Sequence, residues 1–231
     1  MATTTGVEVQ ESALPPLPAR LVAVFFSPGR LMAQLAREPR WLGALLVSAG
    51  LIVLAMVLTP AELFVEAQRA AAMERGMDVP EMSERAVSIM GAVIPITSGV
   101  TSVVMMFVVA AVYTVIFAFV LGDEGRYAQY LAAVTHGWFI AALFALLVTP
   151  LRISTGDPQF SLNLSSFLFF LPDGYILNVF RVLDLTQIWS TLVIAQGAHA
   201  IDRRRSFGSA AVIMLSILLV LALVAARFMP M

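Results

Sequence analysis

Two histidines and one row of polar residues carry the chemistry this chain could use for a site. His136 and His199 can exchange a proton near neutral pH. Plotted at 100° per residue, Asp184, Gln187, Thr191, Ala195, Ala198, His199 and Asp202 fall within an arc of about 120°. Lipid would penalise such a stripe, so it should face other helices. Ionisable residues at membrane depth can relay protons or line a transport path. They can equally form an interhelical seam that fixes packing, worth about 0.6 kcal/mol per hydrogen bond. The seam is the favoured reading, because one histidine and an aspartate near the membrane edge make a thin relay. In it, His136 is neutral and bonded across the interface to Thr191, and Arg181 pairs with Asp184 on the helix surface.

Other chemistries are excluded or weak. The chain has no cysteine and no lysine; all fourteen basic residues are arginine. That removes thiolate nucleophiles, zinc–thiolate sites, a Walker lysine and a Schiff-base lysine. No HExxH, GxSxG, P-loop or dinucleotide fingerprint occurs. Glu62, Glu66, Glu74, Asp78, Glu81 and Glu84 form an acidic patch without EF-hand spacing, which reads as a solvated face. A net charge of −1 carries no nucleic-acid footprint. The expectation is a non-enzymatic protein with no cofactor or metal. Its partners would be the lipid bilayer and either a membrane protein or a second copy of itself.

The elements that must position these residues are membrane helices. Of 231 residues, 60% are hydrophobic and 13% charged, against about 25% charged in a soluble domain. The expected fold is an all-α polytopic bundle with five transmembrane helices and an N-terminal interfacial helix. Residues 1–19 read as a disordered, Pro-bearing tail. Residues 20–40 form an amphipathic segment in which Ser27 caps a helix with Pro28 in its first turn. Leu31, Met32 and Leu35 share its apolar face, while Arg30, Arg37, Arg40 and the interface anchor Trp41 meet the membrane surface. The membrane domain covers 41–229, with spans at about 41–58, 97–121, 127–149, 183–201 and 209–228.

Between the first two spans, Thr59-Pro60-Ala61-Glu62 reads as a capping box for an acidic helix stopped by Gly76, and Asp78-Val79-Pro80-Glu81 opens the next helix. Residues 86–122 hold no charge, too long a run for one straight span, so a break or kink is expected at Gly91, Pro95 or Gly99. The third span is the centre of the bundle. Its small residues Ala133, Gly137, Ala141 and Ala145 form a stripe along which another backbone can approach. That stripe is expected to meet Ala110, Thr114, Ala118 and Gly122 of the second span. Leu162–Leu171 is too short to cross and suits an interfacial or re-entrant segment. A single helix is expected over 175–201. The last span is uniformly apolar, with Ala210 facing lipid.

Five spans put the termini on opposite sides. Eight arginines fall on the N-terminal side and six on the other, which favours a cytoplasmic N-terminus. Arginine in place of lysine, with many alanines, suggests a GC-rich bacterial genome and thus an inner membrane.

Three ordered motifs resemble the YIP family, the Ypt/Rab-interacting protein domain family of five-span membrane proteins. They are Phe26-Ser27-Pro28-Gly29-Arg30 with Glu38-Pro39-Arg40-Trp41; Arg126-Tyr127-Ala128-Gln129-Tyr130 with Thr135-His136; and Leu183-Asp184-Leu185-Thr186-Gln187-Ile188-Trp189-Ser190 with Gln196-Gly197. The resemblance covers about residues 20–228. It implies an integral membrane protein with a cytosolic N-terminus and without enzymatic activity. Eukaryotic members bind prenylated Rab-type GTPases. A bacterial host would lack those partners, and the N-terminal segment here is only about forty residues, so a membrane scaffold or partner-binding role is what carries over. The alternative is a small transporter, channel or lipid-moving protein that uses the polar seam.

Overall fold

A computed structural model describes residues 14–77, 81–168 and 170–229. Residues 1–13 of the expected tail, and the helix opening at Asp78, Val79 and Pro80, lie outside them. The chain is all-α, 78% helical, with no strand among the described residues. The helices are α1 (Leu17–Phe26), α2 (Pro28–Arg37), α3 (Leu42–Leu58), α4 (Ala61–Glu74), α5 (Glu84–Thr114), α6 (Tyr127–Leu147), α7 (Thr149–Thr155), α8 (Tyr175–Val182), α9 (Leu185–Ile201) and α10 (Phe207–Ala226). A π-helical turn, Val115–Val120, continues α5, and a 3-10 turn covers Leu164–Phe167.

Helix α6 is the axis of the bundle. It packs against α3, α5 and α9, and Tyr130 to Gly137 are buried without interruption. An α-helix buried on all faces needs apolar or small residues all round, and this one has them. Tyr130, Leu131, Val134 and Ile140 fill the centre together with Phe117, Met106 and Met214. Ala210 is fully buried in the same core rather than lipid-facing. The sequence of α10 has no polar face from which that orientation could be read.

The small-residue stripe of α6 is used, but for a different neighbour. A Cβ on Gly137 would lie 2.5 Å from Ile194 Cγ1 and 3.1 Å from the Ser190 carbonyl oxygen. One on Gly197 would lie 2.5 Å from Ala133 Cβ. Ala133 and Gly137 therefore seat α9, not the small residues of α5. Pairing of α6 with α9 joins Gly to Ala and Gly to the backbone of Ser190, the close approach that small residues allow.

Of the two outcomes expected near Pro95, a break does not occur. A helix runs unbroken from Glu84 to Val120, 37 residues. The Thr97 hydroxyl donates to the Val93 and Ile94 carbonyls at 2.9 and 3.1 Å, supporting the turn where Pro95 offers no N–H. At ~1.5 Å per residue this helix measures about 55 Å, so it must tilt or project beyond a ~30 Å hydrocarbon core. Its start is capped by Ser83, whose hydroxyl accepts from Ala86 N at 3.3 Å. Upstream, Gly76 ends α4 at φ 73°, and the Met77 N–H closes on Ala72 O at 3.0 Å, as a left-handed C-terminal cap requires. The capping box expected at Thr59 is not made. Its hydroxyl turns back to Ala55 O in α3 at 2.8 Å.

Helices α1 and α2 form a hairpin along the bundle. At its base, Arg20 Nη1 donates to Arg40 O at 3.0 Å. At its tip, the Phe25 ring meets Phe139 at 5.9 Å and Trp189 at 5.3 Å. Helix α2 returns past α9 to α6, where Gln129 Nε2 donates to Ala36 O at 2.6 Å. Leu31, Met32 and Leu35, the face expected to lie on lipid, are buried against protein instead. Pro28 does sit in the first turn, but Ser27 makes no side-chain cap. The tail gives way to helix at Leu17, slightly before residue 19.

The single helix expected over 175–201 is broken. Leu183 is extended, and a short antiparallel bridge joins Asn163 to Asp184, with Leu164 N on Leu183 O and Leu185 N on Leu162 O, both at 2.9 Å. Aspartate is among the best N-caps, and that preference decides the break. Asp184 Oδ1 accepts from Thr186 N at 2.7 Å and Gln187 N at 3.3 Å. Arg181 accordingly pairs with Asp173 at 2.9 Å, not with Asp184.

Among the described residues, three helices are long and apolar enough to cross a membrane: 84–120, 127–155 and 207–226. A fourth is reached if α3 and α4, bent by 80° at Thr59–Pro60, count as one span. Of the three, α6 is the most enclosed, with 61% of its apolar window buried against 28% and 33%.

Candidate functional site

The polar stripe is spread along α9 rather than gathered into one centre. His136 is fully buried on α6, and its Nδ1 donates to Ala132 O of its own helix at 2.8 Å. Nε2 is buried without a partner among the described residues. Thr191 donates to Gln187 O at 2.8 Å. The bond expected between His136 and Thr191 is thus absent: His136 Nδ1 and Thr191 Oγ1 each bond the carbonyl one turn back in their own helix instead. Ser190 and Thr135 are likewise bonded to their own helices, to Thr186 O and Ala132 O. A weak contact does cross: Ser48 reaches Thr135 O at 3.5 Å. Gln187 is exposed, and His199 Nδ1 lies 2.6 Å from Arg205 O at the far end of α9. Arg30, Arg37 and Arg40 are exposed, and Trp41 packs edge-on against Phe107 at 5.8 Å.

Two arrangements were not foreseen from the sequence. One is a charged latch between the turn before α6 and the turn before α10. Arg205 grips Asp123 with two nitrogens, Nη2 to Oδ1 at 2.6 Å, and its guanidinium lies 5.5 Å from the Phe117 ring centre. Beside it, Asp202 accepts from the Glu124 N–H at 2.9 Å and from Arg204 Nη2 at 2.7 Å. The Arg204 hydrogen bond, then the backbone N–H groups of Glu124 and Arg204, hold the Asp202 carboxyl well below the usual carboxylate range. These contacts span about eighty positions, beyond any local spacing rule.

The other is a cavity of about 390 Å³ at the opposite end of α6 and α9. Trp138, Ala141, Phe144, Ala145 and Val148 make its apolar wall. Arg152, Asp184, Thr186, Gln187 and Ser190 supply polar groups. Ala141 and Ala145, the outer half of the small-residue stripe, leave this space because α9 begins only at Leu185. Among the described residues, no cluster of His, Cys, Asp or Glu could hold a metal ion.

A bundle of long apolar helices around a buried α6, with its polar groups spent on helix backbones, defines a multi-pass α-helical membrane protein. The family model of the Yip1 domain matches residues 22–228, nearly the whole chain, and the protein belongs to that family. The Yip1 family is not known as a family of enzymes. No curated protein and no solved structure matches the chain significantly.

Proposed function

We propose that this protein is a five-span scaffold of a bacterial inner membrane, with a cytoplasmic N-terminus, that binds a membrane-protein partner. The observation that carries the reading is the platform formed by α4. No residue of α4 is buried, and the helix is turned 80° from α3. Glu62, Glu66 and Arg69 keep one side of it out of hydrocarbon. Between α4 and residues 81–87 lies a cleft of about 440 Å³, lined by Val65, Ala72, Met82 and Val87 together with Glu62, Glu66, Arg69 and Glu81. Apolar and charged groups side by side in a cleft suit a protein interface. For the five spans, α3 and α9 supply the two crossings beyond the three long helices. Each has 17 residues, about 25 Å of helix, at the lower limit for spanning.

Affinity capture from native membranes tests the reading. The wild type should retain a partner that Ala72→Trp, which fills the cleft, releases. Equal capture by both would remove the platform as the binding surface. The transporter reading has one observation behind it, the cavity bearing Arg152 and Asp184. Saturable flux through liposomes holding the purified protein would favour it over the scaffold.

A further inference from the structure

Arg152 is a buried arginine whose hydrogen-bonding capacity is only partly used. Its residue is 9% exposed, and Nε donates to Phe160 O at 3.0 Å. Nη1 is buried with no partner among the described residues. The carboxylates of Asp157 and Asp184 act on it only at a distance, and neither forms an ion pair with it among the described residues; a buried guanidinium without a direct counter-ion is an unfilled anion site. Its planar fork suits a phosphate or carboxylate. Asp184 lines the same cavity. Its Oδ1 is consumed by the α9 cap, and Oδ2 makes no hydrogen bond among the described residues. Ser161, Thr186, Gln187 and Ser190 add neutral polar groups, and Trp138, Phe144 and Ala145 give the cavity an apolar stretch of wall. The volume falls in the ligand-pocket range of about 300–1,000 Å³ and suits a head group with the upper part of one chain.

We propose that this cavity binds a zwitterionic phospholipid, its phosphate on Arg152, its ammonium toward Asp184 and one acyl chain along Trp138 and Phe144. The order of groups matches the ligand: anion site and cation site together, followed by a path for hydrocarbon. A free inorganic anion would use Arg152 and leave the aromatic wall bare. The proposal rests on the membrane placement of α6 and α9 and is independent of the α4 platform.

The test uses the full chain in detergent and reads thermal stability against added ligand. Short-chain phosphatidylethanolamine should raise the melting temperature saturably. Short-chain phosphatidylglycerol should bind several-fold more weakly, and inorganic phosphate at the same concentrations should give no shift. Arg152→Gln should weaken the lipid effect tenfold or more. Because Arg152 also holds the loop at Phe160, Ala145→Phe serves as the second variant. It fills the apolar end, removes no hydrogen-bonding side chain, and should melt at or above the wild-type temperature while losing the lipid response. Three results would each overturn the proposal: an equal shift from inorganic phosphate, equal binding of the glycerol head group, or a lipid response unchanged in Ala145→Phe. Partner capture through α4 should persist in Ala145→Phe, so a failure here is separable from a failure of the scaffold reading.

Discussion

Gly137→Ala puts one methyl group into a close helix contact at the centre of the bundle. The new Cβ would sit 2.5 Å from Ile194 Cγ1 and 3.1 Å from the Ser190 carbonyl, where ordinary contact begins at 3.4 Å. Helices α6 and α9 must therefore open by roughly 1 Å or Ile194 must leave its rotamer, and overpacking of this kind costs about 1–3 kcal/mol. Helix propensity works the other way, by about 0.5–1 kcal/mol in favour of alanine. Gly50→Ala isolates that second term, because Gly50 is also mid-helix and a Cβ there meets nothing within 4 Å. The two variants should thus differ by about 1–3 kcal/mol, with Gly137→Ala the less stable. Reversible unfolding in mixed micelles measures both. In an Ile194→Ala background, which removes Cγ1 and Cδ1, the penalty at Gly137 should shrink by about 1 kcal/mol or more. Equal stability of the two glycine variants, or a penalty indifferent to Ile194, would refute close packing of α6 on α9.

The latch and the histidine give two further expectations. Asp202 has a lowered carboxyl pKa in the folded state, so its stabilising contribution is complete above the unfolded value of about 4 and is lost as pH falls through the folded value. Melting curves from pH 7 to 3 should show Asp202→Asn less stable than wild type at neutral pH and the gap closing below about pH 4; a constant gap would disprove the ionic role. His136→Ala and Thr191→Val should weaken the bundle additively, within about 0.5 kcal/mol, because each residue bonds its own helix. A coupling well above that in a double-mutant cycle would show a direct bond between them.

The helices and the central place of α6 were legible because burial on all faces leaves a plain record: no charge from Tyr127 to Thr149 and small residues at regular spacing. The Gly76 stop was legible for a local reason, the left-handed cap. The seam placed α6 beside α9, as observed, but which neighbour the small-residue stripe serves was not legible. Ala133 and Gly137 can admit any close helix, and only the tertiary fold chooses α9. The same limit hid the latch, whose members Asp123 and Arg205 are far apart in sequence, and the cavity, which exists because α9 starts late. Asp184 was read as a stripe residue by its angle, yet its capping chemistry mattered more. At His136 the residue was singled out correctly as buried, while the partner was misjudged. A carbonyl four residues back is always available, and a hydroxyl on another helix is not. The apolar face of α2 pointed correctly to burial, but composition cannot distinguish lipid from protein as its cover.

The central claim is that five crossings carry this family member through the bilayer with its N-terminus in the cytoplasm. The described residues contain no cysteine, nor does the rest of the chain, so single cysteines report position directly. The exposed positions Glu74, Glu124, Gln159 and Arg203 can each be replaced by cysteine and labelled in intact cells with a membrane-impermeant maleimide. Glu74→Cys and Gln159→Cys should react from outside, and Glu124→Cys and Arg203→Cys only after the membrane is opened. Labelling of Glu74→Cys and Glu124→Cys from the same side would contradict the five-span arrangement.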